Sequence, residues 1–416
     1  MYVNTDPLYV RRRRVALGLA VVLVLVLVLV GLVQLAFGGG DEAAEAAPAA
    51  VHAPAQDDAV EVAAPAVQPA AEQGEEVGTA DSELVRIQRI TGGLTPKSVV
   101  ASPGGLVLAH NMMYSHTITA YRADGARVRT ISDALDLADH GVEGHPGTSK
   151  GAPVEGAFSP DGRTAWVSQY SMYGTGFEPE GADACRSAKG ISNSYVYEVD
   201  AQSFEIRRVV EVGAVPKYVA VTPDGSSVLV TNWCSMDLTV IDTQTAKVTK
   251  TIPLGGLHPR GIAVTPDSGT AYVTLMGADR TVAVDLGAGT VRTFVDTGDK
   301  PRHVNLSPKG DILYVTNSGE ATVSKVETAT GKVLAEAKTA ADPRSTAISP
   351  DGSALYTVEY GASRVSKILT EDMSVVDSEA TDGLPIGVAY EPTKKRIWVA
   401  CYSGSIIVFD DSRAAA

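Results

Sequence analysis

The phrase PRHVNLSPKGDILYVTNSG, Pro301 to Gly319, returns with small changes along this chain, and its spacing constrains the fold more than any single motif. Seven segments align on a leading proline: PKSVVASPGG at Pro96, PVEGAFSPDG at Pro153, PKYVAVTPDG at Pro216, PRGIAVTPDS at Pro259, PRHVNLSPKG at Pro301, PRSTAISPDG at Pro343 and PIGVAYEPTK at Pro385. The last four intervals are 43, 42, 42 and 42 residues, and the first two, 57 and 63, carry insertions. A constant period of this size marks a repeat architecture in which each unit covers its neighbour's apolar face.

Each unit reads the same way. A short apolar strand meets an S/T-P-D-G turn, where Pro presets φ, Asp bonds the turn backbone and Gly takes the awkward dihedral. A second and a third strand follow, then a further turn and a fourth strand, as in KVTKTIP or KVLAEAK. Four antiparallel strands in about 42 residues is a propeller blade. The seventh unit has three strands, IGVAYE, RIWVACY and SIIVFDD, while LVRIQRI, Leu84 to Ile90, stands alone before the first unit. The expected fold is therefore all-β: a seven-bladed β-propeller over 84–412, with Leu84–Ile90 completing the last blade and 413–416 as a tail. Closure of that kind removes unpaired sheet edges.

Tyr314-Val315-Thr316-Asn317, with degenerate copies at Leu229–Asn232, Tyr272–Leu275 and Trp398–Cys401, resembles the signature of the YVTN-type β-propeller repeat family. The resemblance covers about Leu84 to Asp411 and implies the propeller fold. It speaks weakly to function, because propellers host binding, scaffolding and several enzyme chemistries. Some sugar-lactone hydrolases resemble this fold, with their chemistry on channel-lining residues.

The N-terminus has a different character. Arg11 to Arg14 precede 23 residues, Val15 to Phe37, that contain one amide and no charge. About 20 apolar residues span a bilayer, whereas a cleaved signal's apolar core is about 7–15. The expectation is a single-pass membrane anchor over 15–37, with 1–14 cytoplasmic and the rest extracytoplasmic. Residues 38–83, rich in Ala, Pro and Glu, read as a disordered linker. That linker carries eleven carboxylates and no Lys or Arg, and residues 1–14 carry four arginines against Asp6; the net charge of −14 thus leaves only −6 for the propeller. No basic face for nucleic acid is indicated.

In a propeller the first strand of each blade lines a central channel. The residue after each leading Pro is Lys97, Val154, Lys217, Arg260, Arg302, Arg344 or Ile386, so five of seven are cationic. The reading is a positive ring at one channel mouth, suited to carboxylate or phosphate. The bland alternative is a position that merely suits a long solvated side chain. Second strands end at the same face and bring Asn111, Tyr170, Trp233 and Tyr402. Asn232 and Asn317 there read better as structural hydrogen-bonding groups. Glu155 and His303 lie on the first strands beside the cations.

Two insertions, about 132–152 and 170–194, follow no blade geometry, and loops of that length are usually functional or disordered. The second is expected over the channel face. Cys185 in it and Cys234 in the next blade are expected to form a disulfide, which an exported domain permits; Cys401 is left as a buried thiol. His140, His145, Asp139 and Glu143 share the first insertion but read better as a solvated loop than a cation site. No metal or other cofactor is expected. The preferred function is a monomeric, membrane-tethered binding module for an anionic small molecule, a cell-envelope component or a protein. The alternative is a lactonase-type hydrolase in the channel, with Glu155, His303, Asn305 and Arg344 as the residues to watch.

Overall fold

The computed structural model describes residues 78–415. The apolar run 15–37, the arginines before it and most of the expected linker lie outside them. Among the described residues no helix is long and apolar enough to cross a membrane.

Among the described residues seven four-stranded antiparallel sheets form the blades, each from consecutive strands except the last, and Leu135–Asp136 pairs with Thr148–Ser149 in the first insertion. Blade 1 spans 96–132, blade 2 153–212, blade 3 216–253, blade 4 259–295, blade 5 301–338 and blade 6 343–380. Blade 7 combines Pro385–Glu391, Arg396–Cys401 and Ser405–Ala414 with Ser82–Ile90, which pairs with Ser405–Ala414 from Ile90 opposite Ile406 to Ser82 opposite Ala414. The closing strand thus begins two residues before the stretch read as a strand, and the last strand runs through residues read as a tail. Ser82, Glu83 and Arg413 pair through backbone groups, which an apolar pattern does not reveal.

Between each pair of neighbouring blades lies an apolar core. Val358, Val365, Val399 and Phe409 join blades 6 and 7. Val99, Val107, Trp398 and Val408 join blades 7 and 1. Val196, Val210, Val228 and Val230 do the same for blades 2 and 3. Both faces of each sheet are hidden, which explains the β-branched residues at consecutive positions. The inner strands approach so closely that a Cβ on Gly387 would sit 2.8 Å from the Ser98 Cα.

The ring closure has a polar clamp. Lys367 of blade 6 and Asp411 of blade 7 are fully buried and paired at 2.9 Å. The Lys367 ammonium also donates to the Ser82 carbonyl at 2.7 Å and the Ser82 hydroxyl at 2.8 Å. Tyr356 donates to the other Asp411 oxygen. Closing strand, last strand and penultimate blade therefore meet at one ion pair. Removing one member strands the other's charge in a dry core, which costs about 3–5 kcal/mol. Asp411→Ala is expected to lower propeller stability by about that much in denaturant titration. Asp410→Ala, which breaks an exposed pair with Arg413, should cost about 0–1 kcal/mol. Small, equal losses at both would show that closure does not rest on the clamp.

Candidate functional site

The leading prolines begin the inner strands and lie opposite the ends of the second strands: Pro96 faces Asn111, Pro216 faces Asn232, Pro301 faces Asn317 and Pro385 faces Cys401. Both sets of candidate residues therefore share one end of the channel. A detail absent from the sequence reading is a register shift directly after every one of these prolines. The bulged residue is Lys97, Val154, Lys217, Arg302, Arg344 or Ile386, and in blade 4 the bulge holds Arg260 and Gly261. A regular strand sends consecutive side chains to opposite faces; a bulge breaks the alternation and re-aims a side chain. The cations and the residues after the bulges (Ser98, Glu155, Tyr218, His303, Ser345) are thereby brought to the hub.

The five cations gather at this end of the hub, and four of them are not solvated. Lys97, Lys217, Arg260 and Arg302 are all buried, Arg302 being 7% exposed, and Arg344 is half-buried. Few carboxylates answer them. One oxygen of Glu155 lies 3.6 Å from the Lys97 ammonium and 3.8 Å from the Arg260 guanidinium. Lys217 is paired with Asp183 at 2.7 Å, over the rings of Tyr170 (4.3 Å) and Trp233 (5.0 Å). Arg344 pairs with Asp342 of its own blade and stacks over Tyr360 at 4.2 Å. Among the described residues Arg302 has no carboxylate partner; its Nη1 donates to the Met276 sulfur at 3.7 Å. The Lys97 Nζ and the Nε atoms of Arg302 and Arg344 are buried without any hydrogen-bond partner.

The protonation equilibria reflect this crowding. Burial, reinforced by Arg260, pushes Lys97 well below the ordinary lysine range. Burial, with Arg260 and Arg344 adding to it, does the same to Arg302. Lys217 is lowered by burial to about 8, with Asp183 opposing the shift. Burial and the nearby Arg260, Arg302 and Lys97 take His303 down to about 3. Asp183 sits on the rim with 73% of its side chain exposed. Burial against the wall opposes its charge, but the Lys217 ammonium and hydrogen bonds outweigh this and hold it at about 2.

Beneath the cations the inner strands enclose a cavity of about 400 Å³, lined among others by Ser98, Glu155, Tyr218, His303, Asn305 and Thr346. The Tyr218 hydroxyl lies 3.4 Å from the His303 Nε2, and the Asn305 side-chain oxygen is buried without a partner. Tyr402 stands at the mouth, edge-on to Tyr360 at 6.5 Å.

Three expectations change on this geometry, those for Asn111, Tyr170 and Trp233. Asn111 is wholly buried, accepting from the Thr95 N–H and donating to the Thr117 and Thr119 hydroxyls; it ties strands together and does not face the channel. Asn232 and Asn317 do the same, in line with the structural role read for them. Tyr170 and Trp233 face Lys217 and the insertion more than any open mouth: Tyr170 donates to the Gly181 carbonyl and Trp233 Nε1 to the Asp183 carbonyl. His145 stacks on Phe177 at 4.0 Å, and no group of three metal-ligating side chains occurs among the described residues. The Cys185–Cys234 disulfide is present, with Cα atoms 5.7 Å apart, and Cys401 is a buried free thiol. The sequence reading missed Asp342 and Tyr218. Asp342 is two residues before Arg344, at the position preceding the leading proline, so the repeat alignment did hold that signal.

Comparison with known proteins fits this architecture. A family model described as "Lactonase, 7-bladed beta-propeller" matches residues 186–333. Among solved structures, hydrazine synthase of Kuenenia stuttgartiensis aligns with a TM-score of 0.60 at 20% identity, over 77% of this chain and 97% of that one. Similarity at that identity concerns the fold alone. No curated protein matches. The chain is a seven-bladed β-propeller, similar from the blade 2 insertion into blade 5 to the lactonase family.

Mutual repulsion in a dry mouth carries a stability cost that a neutral side chain would relieve. Arg302→Met is expected to raise propeller stability by about 1–2 kcal/mol, read as an upward shift in Tm. A drop would show that Arg302 is held by favourable contacts.

Proposed function

We propose that the propeller is a binding module that takes a small organic anion at its channel mouth. The observation that carries this reading is the set of unpartnered, buried N–H groups on Lys97, Arg302 and Arg344. An unsatisfied buried donor costs about 1–3 kcal/mol, more when charged, and a cationic cleft with low-dielectric walls focuses potential on an anion. An oxyanion with two accepting oxygens answers both costs at once. Lys217, Arg260, Glu155, His303 and Tyr402 complete the surroundings, and Asn111 is not among them.

The same reading places the domain outside the membrane, tethered by 15–37 as a YVTN-type repeat propeller. The run of apolar residues after four arginines supports the anchor. The disulfide supports an oxidising compartment. A monomer is expected, since closure leaves neither an orphan strand nor a three-stranded last blade to pair with a second copy.

A lactonase-type hydrolase is the second reading, favoured by the family match and by Glu155, His303 and Asn305 in the cavity. An imidazole held near 3 is neutral but a poor proton acceptor at neutral pH, which is why binding stands ahead of hydrolysis.

Calorimetry with a panel of carboxylates and phosphates tests the first reading. Binding is expected for the unaltered protein and should weaken at least roughly tenfold in Arg302→Ala, the loss of one charge-assisted contact. Equal binding by both would remove the cationic mouth as the site. Lys217 is charged below about 8 and neutral above it, so affinity should fall as pH rises through that value; a flat profile would argue that Lys217 plays no part. Turnover of lactones, lost in His303→Ala, would instead favour the hydrolase.

A further inference from the structure

The insertion in blade 2 breaks the pattern of the ring, and its contacts converge on one residue. The segment Gly181–Cys185 is held at four points. The Gly181 carbonyl accepts from the Tyr170 hydroxyl at 3.0 Å. The Asp183 carbonyl accepts from Trp233 Nε1 at 2.9 Å. The Cys185 carbonyl lies 2.7 Å from His258 Nε2, and that imidazole stacks on Trp233 at 4.3 Å. The Cys185–Cys234 disulfide adds a covalent bond to the buried end of a blade 3 strand. Five residues anchored this firmly have one side chain aimed at the cations. One oxygen of Asp183 receives the Lys217 ammonium at 2.7 Å and the Tyr170 hydroxyl at 3.0 Å. Its outer side remains open to water, at the mouth a ligand would pass.

The mouth is therefore divided. In the sector of blades 2 and 3, a carboxylate of the chain already occupies the lysine. In the sector of blades 4 to 6, Arg260 shares Glu155 at 3.8 Å and Arg344 has Asp342, while among the described residues Arg302 has no acid; the Nε of Arg302 and the Nε of Arg344 are each unpartnered. A ligand with one anionic head satisfies the second sector without disturbing the first. A ligand with a second anionic group at the far end meets Asp183 where it would need Lys217, and like charges there cost affinity.

Building on the anion-binding reading, we infer that Asp183 is a tethered counter-anion that sets ligand charge: the site selects an organic monoanion whose head sits on Arg302 and Arg344, and rejects a dianion of the same length. The insertion and its disulfide serve to hold that carboxylate in place. The device is a specificity filter supplied by a loop, which leaves the regular blades unchanged.

The test compares butanoate with succinate on the full-length chain, using the ratio of their dissociation constants. Unaltered protein is expected to prefer butanoate. Asp183→Asn keeps the shape and the hydrogen-bond reach, and should move the ratio toward succinate by about tenfold, one charge-assisted contact. Cys185→Ser with Cys234→Ser, which frees the loop, should move it the same way, and adding Asp183→Asn to that pair should move it little further. If both anions bind and the ratio stays put in Asp183→Asn, the filter is wrong and the anion site stands. If neither anion binds the unaltered protein while other carboxylates do, the choice of monoanion on this sector is wrong. If no anion binds at all, the filter falls together with the reading it rests on.

Discussion

A four-stranded sheet with valine, leucine and isoleucine on both faces is stable in water only between two other sheets. The seven sheets of this chain meet that demand by forming a ring, with an apolar core at each junction such as Val315–Val304–Tyr272 between blades 4 and 5. A ring has no first and last member, so the chain's two described ends must share one blade. Ser82–Ile90 and Ser405–Ala414 do so, and the Lys367–Asp411 pair locks the junction from the side. Closure is also what makes a hub. Seven copies of one strand position converge on the axis because the ring allows them no other direction.

What the hub presents depends on a smaller device, the bulge after each leading proline. Without it, Lys217 and Tyr218, or Arg302 and His303, would point to opposite faces of their strand. With it, one position supplies cations and the next supplies the cavity wall. The sevenfold pattern is broken where Val154 and Ile386 replace a cation, and the long insertion of blade 2 rises beside the first of these. Five basic groups gathered against Glu155, Asp183 and Asp342 make a mouth that is electrostatically strained when empty. Strain of this sort is tolerated where it serves binding.

Much of this was legible in the sequence. Period and turn chemistry carried the blade count, and the orphan strand Leu84–Ile90 revealed the closure. Cys185 and Cys234 could be paired because neighbouring blades and a shared face put them together. Other features were not legible for physical reasons. Bulges leave the residue order unchanged, so the residue order places the cations at the channel mouth without giving their depth, and Arg302 is in fact buried. Asn111 looked like a mouth residue because its position at the strand end is right; its amide is turned inward by Thr95, Thr117 and Thr119, which no spacing rule encodes. Asp342 was overlooked because attention fell on the residue after each proline, not the one before it.

The central claim is that the mouth of this ring is an anion site with donors waiting for a partner. Crystals of the protein grown with methaneseleninate, an organic monoanion with two oxygens, would show it by the anomalous signal of selenium. The account predicts a selenium peak whose oxygens lie within hydrogen-bond distance of Arg302 Nε, with Arg344 on its other side and Asp183 still on Lys217. A mouth without that peak, in which Arg302 Nε donates to a protein oxygen, would contradict it.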